Sequence, residues 1–166
     1  MRKFESLTLK GQKMRIVKDA IAQIIAKKFI AKSANYLQLI KGDFSTDSLQ
    51  TILKSENLKC ECCAKGALFA SCVIETNKVN IKQDYGKEYF QKNKLKKWFD
   101  LSELDLIEMA FEGVSVIDSN NILHDINRNP TELYLKGKRF YRKYKSNKTR
   151  LLAILNNILE NGKFTL

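Results

Sequence analysis

Apolar residues along the 166-residue chain recur mostly at helical spacing, interrupted by a few short stretches that alternate. From Gln12 to Lys28, Val17, Ala20, Ile21, Ile24 and Ile25 share one stripe while Lys13, Lys18, Gln23 and Lys27 fall elsewhere, so an amphipathic helix is expected. Phe29 to Lys32 and Tyr36 to Ile40 are short, apolar and partly alternating, and read either as a hairpin or as one extended strand. Gly42-Asp43 breaks the chain, after which Ser45 or Thr46 can cap a helix carrying Leu49, Ile52 and Leu53.

The stretch from Cys60 to Glu75 carries few charges and has small or apolar residues on every face, the pattern of a helix enclosed by its neighbours. It is the expected central helix. Gly66 inside it costs about 1 kcal/mol relative to Ala, which predicts that another backbone approaches closely there. Lys78 to Lys82 reads as a short strand or a connector, and Lys87 to Phe99 as a basic helix with an inner edge of Tyr89, Phe90, Leu95, Trp98 and Phe99.

The next helix has clear boundary signals. Ser102 stands at its N-cap, Leu101 can staple onto Leu106, Leu104, Ile107 and Phe111 form its buried stripe, and Gly113 sits at its C-terminal cap. Val114 to Ile117 and Ile122 to Ile126 flank the turn-rich Asp118-Ser119-Asn120-Asn121 and suggest a β-hairpin. After Asn129-Pro130, Thr131 begins a helix through Tyr144. The last helix starts near Ser146 or Asn147, buries Leu151, Leu152, Ile154, Leu155, Ile158 and Leu159, and stops at Gly162. The expected fold is mostly α (α+β): a single compact helical domain over residues 1–166, built around a central buried helix, with one or two short β-hairpins.

Charge adds a partner class to this architecture. Lys and Arg total 30 against 18 acidic residues, a formal charge of +12, which predicts an anionic partner, nucleic acid or an acidic protein surface. An AT-rich coding sequence would also favour Lys, Asn and Ile, so the surplus alone does not name the partner. No apolar run follows Met1-Arg2-Lys3 and no uncharged stretch approaches the roughly 20 residues of a membrane span. A soluble cytoplasmic protein with reduced cysteines and no membrane partner is expected.

The cations concentrate between Lys136 and Arg150, where eight of fifteen residues are basic and none is acidic, with Phe140, Tyr141 and Tyr144 threaded among them. Such cations track a phosphate backbone, and such rings stack on unpaired bases. The candidate interface is Lys136, Lys138, Arg139, Phe140, Arg142, Lys143, Tyr144, Lys145 and Lys148, with Lys94, Lys96 and Lys97 offering a second basic face. On one side of the molecule, the two would form a groove. The other reading is that the rings pack inward and the lysines simply face water.

Cys60 and Cys63 have the CxxC spacing of a zinc site, to which Cys72 and His124 would have to be added by folding. No second CxxC or HxxxH exists, and free thiols are often buried, so buried reduced cysteines and no metal or other cofactor are expected. The carboxylate pairs Asp100/Glu103, Asp105/Glu108 and Glu108/Glu112 line the face of one helix, where solvated acids are ordinary. The chain has no GxxxxGK, GxGxxG or nucleophile elbow. These absences point away from an enzyme.

Ile16 to Ile24, Cys60 to Phe69 with its Cys63-Ala64-Lys65-Gly66-Ala67-Leu68-Phe69, and Leu104 to Gly113 resemble segments of small basic proteins carried by phages and mobile elements of bacteria. The likeness spans about half the chain and covers core and cap positions, so it carries over no site residues. It implies a bacterial cytoplasm and a host target. Inhibitors of CRISPR nucleases are one such class, acting by occupying a guide or target channel. The resulting expectation is a non-catalytic inhibitor of a host protein or nucleoprotein, an RNA-guided nuclease among the candidates. The alternatives are a free-standing DNA- or RNA-binding regulator or a zinc-stabilised binding module.

Overall fold

A computed structural model of the protein describes residues 3–42, 48–76, 94–113 and 130–166, the last segment with its side chains from 135 onward. The fold is mostly α, with six α-helices and one three-stranded sheet among the described residues. A short turn, Phe4–Ser6, leads into α1 (Leu9–Ile25), whose N-cap Thr8 accepts from the Gly11 amide. Of the expected stripe Val17, Ala20 and Ile24 are buried, Ile21 is half-buried and Ile25 exposed, while Ile16 joins the core and Lys13, expected off the stripe, is buried against Glu103. The helix ends in a tight reversal. Lys27 takes a left-handed φ of 59°, the Lys28 amide reaches back to the Gln23 carbonyl, and the Lys27 amide to that of Ile24. The chain leaves directly into β1 (Phe29–Ala31).

β2 (Leu37–Lys41) does not pair with β1, which corrects both the hairpin and the single-strand expectation. Between them lies β3 (Lys59–Cys62), parallel to β1 through Phe29 and Cys60, and antiparallel to β2 through Leu37 and Cys62. The physical reason is an alternation hidden in the cysteine stretch. Lys59 and Glu61 face outward while Cys60 and Cys62 point into the core, a period of two that only a strand satisfies. The expected central helix is therefore shorter than Cys60–Glu75. It is α3 (Ala64–Thr76), and its first residues after the strand turn at Cys63, whose carbonyl accepts from Ala67.

From Ala64 to Ile74 every residue of α3 is buried, as expected of an enclosed helix. Gly66 lies against the backbone at Tyr36, and a Cβ added there would fall inside the Tyr36 carbonyl. The backbone approach predicted from the sequence is present, and it ties the first turn of α3 to the entry of β2. α1 packs along α3, and α2 (Leu49–Lys54) closes the other side with Leu49, Ile52 and Leu53. Its cap is Ser48, accepting from Thr51, rather than Ser45 or Thr46, which lie outside the described residues.

α4 (Leu101–Glu112) buries Leu104, Ile107 and Phe111 and ends at Gly113 with φ 72°, both as predicted. Its N-cap is Asp100, not Ser102. The Asp100 carboxylate accepts from the Glu103 amide at 2.7 Å and from the Ser102 hydroxyl at 2.7 Å, because a carboxylate two residues earlier meets both donors. Those donors, the hydroxyl first, hold the Asp100 carboxyl below its ordinary value. With Asp100 as the cap, Leu101 becomes the first helical residue instead of the residue before the cap, and it is half exposed. α5 (Pro130–Lys143) and α6 (Asn147–Asn161) complete the described helices, with Ser146 capping α6 and Gly162 ending it at φ 76°. The expected hairpin at Val114–Ile126, the connector at Lys78–Lys82 and most of the Lys87–Phe99 helix lie outside the described residues.

A buried polar cluster joins α1, α4 and the C-terminal tail. Lys13 Nζ donates to both oxygens of Glu103 at 2.9 and 2.7 Å, and Glu103 also accepts the Phe164 amide. Lys13 rests over the Phe99 ring, and Trp98 donates to Gln12. An ion pair this enclosed fixes geometry more than it adds stability, but its partners cannot be removed singly. Lys65, also buried, pairs with Glu108 and ties α3 to α4.

Candidate nucleic-acid interface

α5 carries two faces of opposite character. Gly137, Phe140, Tyr141 and Tyr144 recur at i, i+3, i+4 and i+7 and turn toward the body of the protein. Gly137 sits on α4, where an added Cβ would come within 3.1 Å of the Met109 Cβ. Phe140 meets Phe164 edge-on at 5.4 Å and Tyr144 at 4.9 Å. Tyr141 covers Gly113, where a Cβ would lie 2.6 Å from its ring, so Gly113 is held both by its left-handed φ and by that ring. Phe140 and Tyr144, expected to stack on bases, are half-buried and packed on one another, Phe140 also against the core.

Lys136, Arg139, Arg142 and Lys143 occupy the opposite face and are exposed, with Lys138 half-exposed at its margin. Lys145 and Lys148 continue the exposed cations across the turn into α6. Lys143 Nζ lies 5.5 Å from the Tyr144 ring, while Arg139, Arg142, Lys145 and Lys148 are paired with no described acid. The Lys136–Arg150 run itself contains no acidic residue.

Arg150 is the exception, and sequence reasoning missed its role. Its guanidinium is 3% exposed and donates to the carbonyls of Phe111 at 2.8 Å, Tyr144 at 3.0 Å and Tyr141 at 3.3 Å, and to Asn147 Oδ1 at 3.0 Å. It lies 3.7 Å from the Tyr141 ring centroid. One planar fork thus satisfies carbonyls at the C-terminal ends of α4 and α5, where the helix dipoles favour a cation. Burial pulls the guanidinium below its ordinary value, opposed by Tyr141 and Glu112. The only signal in the sequence was position: Arg150 falls in line with the buried Leu151, Ile154 and Ile158 stripe of α6.

Lys94, Lys96 and Lys97 stand elsewhere. They precede the α4 cap Asp100, with Lys97 5.2 Å from the Trp98 ring, whereas the Lys143–Lys148 turn closes over the C-terminal end of α4.

The cysteines form no comparable site. Cys60 and Cys62 share the inner face of β3, Cys63 begins the turn into α3 and Cys72 lies two turns further along, all buried and unbridged. Burial pushes the Cys63 and Cys72 thiols up to about 11, and the Cys62 thiol rises too, through its hydrogen bond with Cys60 and then burial. Among the described residues no group of three or more His, Cys, Asp or Glu is placed to hold a metal ion. His124 lies outside them. The carboxylates of α4 are tied inward: Glu103 to Lys13, Glu108 to Lys65, and Glu112 to the Ala34 amide at 3.1 Å. Burial raises the Glu112 carboxyl, with the Ala34 amide opposing.

The chain matches no protein-family model, no curated protein and no solved structure. The likeness to phage-borne proteins therefore rests on the three sequence stretches that carry it. No described helix is long and apolar enough to cross a membrane.

Proposed function

We propose that the protein is a non-catalytic binding protein that engages nucleic acid, bare or held in a nucleoprotein, through the basic outer face of α5 and the turn into α6. The observation that carries this is the separation of roles in one short run: Phe140, Tyr141, Tyr144 and Arg150 lock the corner together, while Arg139, Arg142, Lys143, Lys145 and Lys148 remain exposed with no acid in the run. Surface cations held on a packed scaffold lose little entropy when they meet phosphates, and the released counterions favour the complex. An inhibitor of an RNA-guided nuclease, as the resemblance implies, and a free-standing regulator are two forms of this reading.

The test is affinity capture of the tagged protein from a bacterial lysate, with and without nuclease, alongside R139E/R142E/K143E. Nucleic acid recovered by the parent chain and lost by a folded charge-reversed variant is the expected result. A single effector nuclease retained after nuclease treatment is the outcome expected of the inhibitor form, and nucleic acid alone that of the regulator. Equal recovery by parent and variant overturns the proposal.

A further inference from the structure

The inward packing of the rings limits what this face can recognise. Proteins that hold single strands combine a cationic track with exposed aromatic platforms, each stacked base contributing about 1–3 kcal/mol. On α5 those rings are half-buried, each already engaged by a neighbour: Phe140 by Phe164, Tyr144 by Phe140, and Tyr141 by Gly113 and Arg150. What faces outward among the described residues is chiefly charge, with Leu135 an exposed apolar neighbour.

The cations are also regularly placed. Lys136, Arg139 and Lys143 recur at i, i+3 and i+7, and at about 1.5 Å per residue they cover roughly 10 Å of helix before Lys145 and Lys148 extend the line. The helix that carries them is fixed at Gly137 against Met109, at Tyr141 against Gly113, and at its end by Arg150. A fixed row of charges suits a fixed row of phosphates. A duplex supplies one, with a charge about every 1.7 Å along its axis, whereas a single strand is flexible and less densely charged.

Resting on the function proposed above, we infer that this face binds the sugar–phosphate backbone of a nucleic-acid duplex and does not read its bases. The backbone is the part of a duplex that positions a protein without specifying sequence. Exposed Lys and Arg suit that role, and Asn147, the one amide side chain among the described residues of the run, has its Oδ1 taken by Ser33 and Arg150.

The experiment is fluorescence anisotropy of the full chain against DNA and RNA duplexes of about 30 base pairs, the separated strands, and duplexes of shuffled sequence, over about 50 to 200 mM salt. Expected are about tenfold or greater preference for a duplex over its strands and less than about twofold change on shuffling. With about five phosphates neutralised, affinity should fall about 500-fold across that salt range. R139E/R142E/K143E, checked for an unchanged thermal transition, should abolish the binding. Single strands bound as tightly as duplexes, or a strong dependence on sequence, with binding still lost in the variant, overturns the duplex inference and leaves the proposed function standing. No binding to any of these probes overturns the duplex inference, and the proposed function falls with it if affinity capture also recovers neither nucleic acid nor an effector nuclease.

Discussion

Glycine brings backbone close to a neighbour in two regions of this protein, with different neighbours. At Gly66 the neighbour is the Tyr36 carbonyl, a backbone atom held by the sheet beside it. At Gly113 the neighbour of an added Cβ is the Tyr141 ring, a side chain, and at Gly137 the Met109 Cβ at 3.1 Å and the α4 backbone at 3.5 Å leave far more room than the Tyr36 carbonyl leaves at Gly66. The β3–α3 region is closed by apolar packing and buried thiols, with the enclosed Lys65–Glu108 pair only at its border with α4. The α4–α5–α6 corner is closed by a charge, since Arg150 ties three carbonyls that helix ends leave open. Charge used inside at that corner is complemented by charge displayed outside it, and the two sets of cations differ only in which way their helix faces turn them.

The sharpest way to break this comparison is Gly66→Ala. The methyl group has no space unless α3 and the entry to β2 separate, so unfolding free energy should fall by about 4 kcal/mol or more in urea titration. A loss under about 1 kcal/mol would mean that the two regions do not differ. Arg150→Met keeps much of the volume but removes the side-chain donor to the Phe111 and Tyr144 carbonyls, the Tyr141 carbonyl keeping the Tyr144 amide, with an expected cost of about 2–3 kcal/mol in the same titration. Near-native stability would mean that packing rather than the guanidinium closes the corner. Gly137→Ala asks Met109 to yield a few tenths of an ångström, for about 1–2 kcal/mol.

Alkaline pH sharpens the contrast without a substitution. The unfolded chain ionises its thiols near the ordinary 9.0, while folded Cys63 and Cys72 hold their protons to about 11, so stability should fall as pH rises through that window. Cys63→Ala/Cys72→Ala should flatten the fall in thermal unfolding measured against pH, and an unchanged slope would exclude these thiols as its source. The smallest expected effect on stability is that of R139E/R142E/K143E. Exposed charges on this face should shift unfolding by no more than about 1 kcal/mol in total, even where binding is lost.

Much of the architecture was written locally. The stripes of α1, α4 and α6, the glycine stops at Gly113 and Gly162, and the need for close approach at Gly66 follow from spacing and from what glycine alone permits. The strand at Lys59–Cys62 was legible only as a two-residue alternation joined without a break to an apolar helix, and Cys is too neutral in propensity to mark the change. β3 lies between β1 and β2 because strand order depends on contacts distant in sequence, which no local pattern encodes. The basic run named its cations from sequence alone. Which of them face water, which rings leave the surface and why Arg150 is buried depended on α4 and the C-terminal tail arriving beside α5, because burial is decided by what packs against a face and not by the residues on it.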